Sequence, residues 1–257
     1  MVTFDSYQQG VPAWVELVAG DQRAAAGFYA DLFGWRIVEN PVPDGVYLTT
    51  WLGDDVVAGI EARRDGVGEH PDSWTVYLAV DDVDAATARV EPAGGTVEVP
   101  PRDVADLGRW SEVRDPSGAL VRFWQAGRRV GTGRANEPGT PIWNELVTSD
   151  ADAAVPFYEQ VLGITAERLD SGGGASYVQL LAGGAAFGGV TPPHRPDLPP
   201  QWNVYFDVDD VDASLARVEQ LGGSTVAPAF DVPGVGRMAM VSDPAGATFW
   251  LMAVTAA

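Results

Sequence analysis

Two glutamates in this 257-residue chain stand in matched settings: Glu16 within Trp14-Val-Glu-Leu-Val18, and Glu145 within Trp143-Asn-Glu-Leu-Val147. Alternation along a strand turns Val15 and Leu17 one way and Trp14 and Glu16 the other, and it groups Trp143 with Glu145 in the same manner. A carboxyl group set among rings loses water, rises in pKa and can move a proton near neutral pH. Glu16 and Glu145 are therefore the candidate catalytic residues. The alternative is a satisfied pair, Glu16 with Arg122 across the sheet and Glu145 bonded to Asn203, because buried carboxylates need a partner. Tyr77 and Tyr205 are either donors to a ligand carbonyl or rim and core tyrosines. Arg122 could hold a carbonyl or enolate oxygen.

Missing residue types narrow the chemistry further. The chain has no Cys and no Lys, so thiolate nucleophiles, disulfides, Cys-ligated metals and lysine Schiff bases are excluded. Its two histidines, His70 and His194, sit in polar or Pro-rich stretches and read as loop residues. Neither a GxSxG nor a phosphate-binding loop occurs. Sixteen basic against 36 acidic residues give a net charge of -20, which disfavours nucleic acid and anionic membranes as partners. The opening MVTFDSYQQG lacks a basic and apolar leader, and no apolar run is long enough to span a bilayer, so a cytoplasmic location is expected.

The elements that position these residues come in two copies. VYLAVDDVDAATARV (Val76 to Val90) returns as VYFDVDDVDASLARV (Val204 to Val218), WVELVAGD returns as WNELVTSD, and DPSGA (from Asp115) returns as DPAGA (from Asp243). A repeat this long means two copies of a domain. The expected boundaries are 1–126, a Gly- and Arg-rich linker over 127–141, and 142–257. Within a copy, a strand leads into Asp21 and a helix carrying Ala25, Phe28 and Leu32, closed by Gly34. Three strands follow, and the pattern restarts: a strand over Val76 to Val80, a helix capped at Asp81/Asp82 and running through Val83, Ala86 and Val90, then three strands ending at Gln125. Each copy thus reads βαβββ twice. Pro156 fits its helix only in the first turn, with a start near Asp152.

This layout, with FY…LG on the first helix, VxDDVDA opening the second and DPxGA before the last strand, resembles the vicinal oxygen chelate superfamily of glyoxalases, bleomycin resistance proteins and extradiol dioxygenases. It is similar in particular to tandem, single-chain glyoxalase-like members of actinomycetes. The resemblance implies an α+β fold: two tandem domains, each of two βαβββ modules curled into an eight-stranded cup with helices outside. It also implies metal-ligand positions. These fall on Trp14, Thr75 and Arg122 in the first copy and on Trp143, Asn203 and Trp250 in the second, with Glu61 and Thr191 near the loosely aligned fourth. Such side chains cannot supply the imidazole and carboxylate set of a divalent ion. No metal and no other cofactor is expected.

What remains is a pair of aromatic walls. Trp14, Trp51, Thr75, Tyr77, Arg122 and Trp124 are the expected ligand-binding residues of the first copy, and Trp143, Asn203, Tyr205, Trp250 and Met252 those of the second. They either fill each other's space as core or sandwich a flat ligand. Three functions stay open: a metal-free protein that binds a flat aromatic or polyketide-like molecule, a metal-free enzyme using a cup glutamate for isomerisation, cyclisation or dehydration, and a scaffold without ligand.

Overall fold

The computed structural model describes residues 2–3, 5–43, 45–63, 72–170, 176–193 and 198–255. His70 and His194 lie outside them. The elements are β1 (Val2–Thr3), β2 (Pro12–Ala19), α1 (Gln22–Phe33), β3 (Arg36–Val42), β4 (Gly45–Leu52), β5 (Asp55–Ala62), β6 (Ser73–Ala79), α2 (Val83–Ala88), β7 (Thr96–Val104), β8 (Gly108–Arg114), β9 (Leu120–Ala126) and β10 (Arg134–Ala135). The second half follows with β11 (Pro141–Val147), α3 (Ala151–Leu162), β12 (Thr165–Asp170), β13 (Ser176–Ala182), β14 (Ala185–Thr191), β15 (Gln201–Asp207), α4 (Val211–Gln220), β16 (Ser224–Val232), β17 (Gly236–Ser242) and β18 (Thr248–Val254).

Each half builds one eight-stranded sheet, ordered β3-β4-β5-β2-β6-β9-β8-β7 and β12-β13-β14-β11-β15-β18-β17-β16. The two modules of a half join where β2 meets β6, or β11 meets β15, in antiparallel pairing. The helices start where carboxylates can take up free backbone amides: Asp21 accepts from Arg23 and Ala24, and Asp82 from Ala85. Gly34 closes α1 at φ 74, in the left-handed region that glycine enters without strain.

Two helices depart from the sequence expectation. α2 stops at Ala88 instead of reaching Val90, whereas its copy α4 runs to Gln220. Pro92 stands where copy two has Gln220; it cannot donate a backbone bond and biases the preceding residue away from helix. α3 begins at Ala151, which puts Pro156 inside the helix and beyond the first turn. Its ring is exposed to solvent, while Phe157 and Tyr158 beside it are buried and hold the segment down.

The helix-bearing faces of the two sheets pack against each other. Trp74 of β6 lies 5.0 Å from Phe206 of β15, and Phe33 of α1 lies 4.9 Å from Phe206. The two halves also exchange hydrogen bonds through the motifs that mark the repeat. Tyr29 donates to Asp243 Oδ2 at 3.1 Å and accepts from Trp74, while Tyr158 donates to Asp115 Oδ2 at 2.9 Å and accepts from Trp202. The helix tyrosine of one copy thus serves the DPxGA aspartate of the other. Tyr158→Phe strands a buried indole N–H and a carboxylate oxygen together. It should lower stability by about 1–3 kcal/mol, read as a shifted urea midpoint with unchanged secondary structure; an unmoved midpoint would show the crossing bond to be idle.

Residues 127–141 read from sequence as an unpatterned linker, but the chain there is tied to both sheets. Thr132 and Gly133 donate to Ala13 and Val56, Gly139 donates to Asp207, and Trp35 donates to Gly139. Among the described residues no helix is long and apolar enough to cross a membrane.

Candidate functional site

Away from the shared core, each sheet carries a second, smaller cluster on its concave face. Trp14, Tyr77 and Trp124 form one with Trp110 and Tyr7 packed against them, and Tyr205, Trp250 and Met252 form the other with Met240 and Trp143. The alternation read from sequence is therefore correct on β2, β6, β9, β11, β15 and β18. Trp51 is not among the residues of the first cluster. It sits near the β4–β5 hairpin opposite Arg36, whose guanidinium stacks on its ring, and its N–H goes to Thr49.

A glutamate flanked by two tyrosines lies in each cup. In the first, Glu16 accepts from Tyr47 at 2.5 Å and from Tyr77 at 2.8 Å, and Trp14 donates to the Tyr47 hydroxyl at 3.2 Å. In the second, Glu145 accepts from Tyr177 at 2.9 Å and Tyr205 at 2.5 Å, and Trp143 donates to Tyr177 at 3.2 Å. Tyr47 and Tyr177 were missed in the sequence. Their signal was a tyrosine at matching places in the repeat, together with Gly59 and Gly189 on the strands beside the glutamates. A Cβ on either glycine would collide with the tyrosine hydroxyl that crosses it.

The surroundings then diverge. Arg122 reaches Glu16, bonds Glu112 through Nε at 2.6 Å, lies 3.2 Å from Glu61 and stacks on Trp110 and Tyr77. The pairing of Glu16 with Arg122 expected from sequence is present. The pairing of Glu145 with Asn203 is not: Asn203 Oδ1 accepts from Gln201, and both Glu145 oxygens are held by tyrosines. Asn203 is Glu145's direct cross-strand neighbour, but the longer Tyr205 reaches the carboxylate from the next concave position. Thr75 occupies the matching place opposite Glu16 and is buried.

Burial raises Glu16 to about 7, with Arg122 pulling down, Glu61 pushing up and the two tyrosine hydroxyls pulling down. For Arg122, burial opposes the charge, but Tyr77 and the three glutamates outweigh it and keep the guanidinium protonated. Burial also raises Glu145 above the usual carboxylate range, against the hydrogen bonds from Tyr205, Tyr177 and Trp143. Glu145 makes no ion pair among the described residues, and it keeps some contact with solvent, whereas Glu16 is 3% exposed. Cup 1 is covered by the connecting segment: Arg129 stacks over Trp14 and its carbonyl accepts from Trp124. At the rim of cup 2 the exposed Phe230 stands edge-on to Trp250, 6.1 Å away. Trp250 stacks on Tyr205, and its buried N–H has no partner among the described residues.

The metal positions implied by the resemblance do not fit a divalent ion. In cup 1 the neighbouring carboxylates converge on a guanidinium, and a permanent cation there opposes a second one. In cup 2 the positions hold Trp143, Asn203 and Trp250, a poor donor set. Among the described residues no three His, Cys, Asp or Glu side chains are grouped to hold an ion.

A sequence model described as Glyoxalase/Bleomycin resistance protein/Dioxygenase superfamily matches residues 12–123 and 142–251. The chain is 47% identical over 246 residues to the protein called Putative glyoxylase CFP32 of Mycobacterium tuberculosis (strain CDC 1551 / Oshkosh), covering 95% of this chain and 94% of that one. It is 37% identical over 262 residues to Anthracycline biosynthesis protein DnrV of Streptomyces peucetius, covering 95% and 93%. Among solved structures, the Mn(II)-bound glyoxalase from Novosphingobium aromaticivorans superposes with a TM-score of 0.67 at 22% identity, over 96% of this chain and 82% of that one, which shows a shared fold.

Proposed function

Given that the chain belongs to the Glyoxalase/Bleomycin resistance protein/Dioxygenase superfamily, we propose that it binds a flat aromatic, polyketide-like molecule at its second cup without a metal ion. The observation that carries this reading is the contrast between two copies of one cluster. In cup 1 a guanidinium neutralises the glutamate and Arg129 covers the wall; in cup 2 the glutamate is only partly buried and has no ion pair among the described residues. A flat ring system resting on Trp143 and the rim residue Phe230 gains large contact area. The 37% identity to a protein named for anthracycline biosynthesis supports the ligand class. On this reading 1–126 is a supporting domain and 142–257 the binding domain, within one cytoplasmic chain.

A second reading adds turnover. Glu145, raised by burial and aligned by two tyrosine hydroxyls, is placed to take a proton from an acidic C–H of the bound molecule and return it to oxygen. Titration of tryptophan fluorescence with a hydroxyanthraquinone tests the binding claim. One equivalent should quench the signal, with the same affinity before and after chelator treatment. No quenching up to the solubility limit, or binding lost with the chelator, ends the proposal.

A further inference from the structure

A shallow cavity of about 340 Å³ opens at the edge of cup 1, where the connecting segment passes it. Val56 of β5 and Leu107 of the β7–β8 turn supply apolar surface, and both pack against the cup 1 cluster. Arg128, Arg129 and Val130 line it from the segment. The backbone there is pinned: Arg129 donates its N–H to Leu107 at 3.0 Å, and its carbonyl accepts from Trp124.

The two arginines differ in how they are matched. Arg128 is exposed and pairs with Asp106 at 3.1 Å. Arg129 is half-buried, and its guanidinium bonds no acceptor among the described residues. That is out of keeping with the rest of the chain. Among the described residues, Arg63, Arg109, Arg114, Arg122, Arg134 and Arg237 are the other arginines at least half-buried, and each holds a carboxylate. Burial lowers the pKa of Arg129, Tyr47 raises it and Arg128 lowers it, so no carboxylate enters the balance.

The cation is nevertheless able to bond. Arg129 lays its face over Trp14, 5.4 Å from the ring centre. Guanidinium donors lie in the plane of the group, so a ring beneath the face takes none of them. None of its nitrogens is shut away from solvent.

We infer that this cavity is an anion site, apart from both glutamates, in which Arg129 holds the carboxylate of a small amphipathic acid whose apolar body rests on Val56 and Leu107. The fork of N–H donors matches a carboxylate two bonds at a time. One positive charge balances one negative, whereas a phosphate dianion would add an excess to a chain already at -20.

The test compares 4-fluorobenzoate with 4-fluorobenzyl alcohol, which has the same ring and no charge, by fluorine NMR titration at neutral pH. Wild-type protein should bind the carboxylate about tenfold more tightly. Arg129→Met, which keeps the cover over Trp14 and removes the donors, should bring the two affinities together and leave the urea midpoint in place. Arg129→Lys should lose most of the preference, because it keeps the charge without the fork. Arg36→Met is the matched control: Arg36 also stacks on an indole, that of Trp51, but is exposed and does not line the cavity, so the preference should persist. Inorganic phosphate in about tenfold excess should leave the benzoate in place, as one charge-assisted site for a monoanion requires. Equal affinities in the wild type overturn the inference, as a guanidinium that is merely hydrated would give. So does a preference that survives Arg129→Met or vanishes in Arg36→Met, and displacement by phosphate overturns the ligand class.

Discussion

Arg122→Met should destabilise the protein by about 3–5 kcal/mol at neutral pH, because it removes one partner of a buried ionic cluster and leaves the others uncompensated. The guanidinium is the common partner of Glu16, Glu61 and Glu112, and it also bonds the Tyr77 hydroxyl at 2.6 Å. Methionine replaces much of the length and none of the charge. The loss should depend on pH with a defined sign. Glu16 rises on folding from 4.5 to about 7, so between those values the folded chain holds more proton than the unfolded one. Stability from this group is present below 4.5 and is lost as pH rises toward 7. Without Arg122 the three carboxylates repel one another and the folded-state pKa of Glu16 climbs further. The deficit of the variant should therefore be large at pH 8 and shrink at pH 5, where Glu16 takes up its proton. Urea midpoints at the two pH values measure this. A deficit equal at both, or below about 1 kcal/mol, would mean that the cluster behaves as an exposed pair.

Glu145→Gln gives the second large effect, on rate instead of stability. Anthrone is a flat aromatic ketone with an acidic methylene, and its conversion to the enol tautomer can be followed by absorbance. The wild-type protein should accelerate this conversion, with Glu145 taking the methylene proton and water supplying one to the oxygen. A single positioned base contributes about 10²–10⁴-fold, so the glutamine variant should lose most of the acceleration. Glutamine keeps an oxygen that can accept from Tyr177 or Tyr205, so affinity should stay within about threefold. Glu16→Gln, in the sealed cup, should leave the rate unchanged. Full activity in Glu145→Gln would remove Glu145 as the base.

Much of this architecture was legible in the residues. The repeated segments set the number of cups, and alternation on β2, β6 and β9 sorts the concave wall from the core. The Glu16–Arg122 pair followed from two long, opposite charges on one face. The missing parts share a cause: they depend on which strand lies beside which. Tyr47 and Tyr177 sit on β4 and β13, outside the repeated segments that drew attention, and only the passage over Gly59 or Gly189 brings them to the glutamates. Asn203 lies directly opposite Glu145, but the longer Tyr205 reaches the carboxylate and makes the bond. The shortening of α2 was readable in Pro92 and went unread. The Tyr–Asp exchange could not be read at all, since identical motifs in two copies do not say whether they meet within a copy or across them.

That exchange has a consequence for how such a chain can change over generations. Tyr29 answers to Asp243 and Tyr158 to Asp115, so the seam between the halves is locked twice by the same pair of residues. The inner walls take no part in the lock. Mutation can therefore rewrite one wall, as with tryptophan for Arg122 or aspartate for Ala79, while the assembly persists on the other side of the sheet. Duplication leaves such a lineage with one wall free to drift and one to hold.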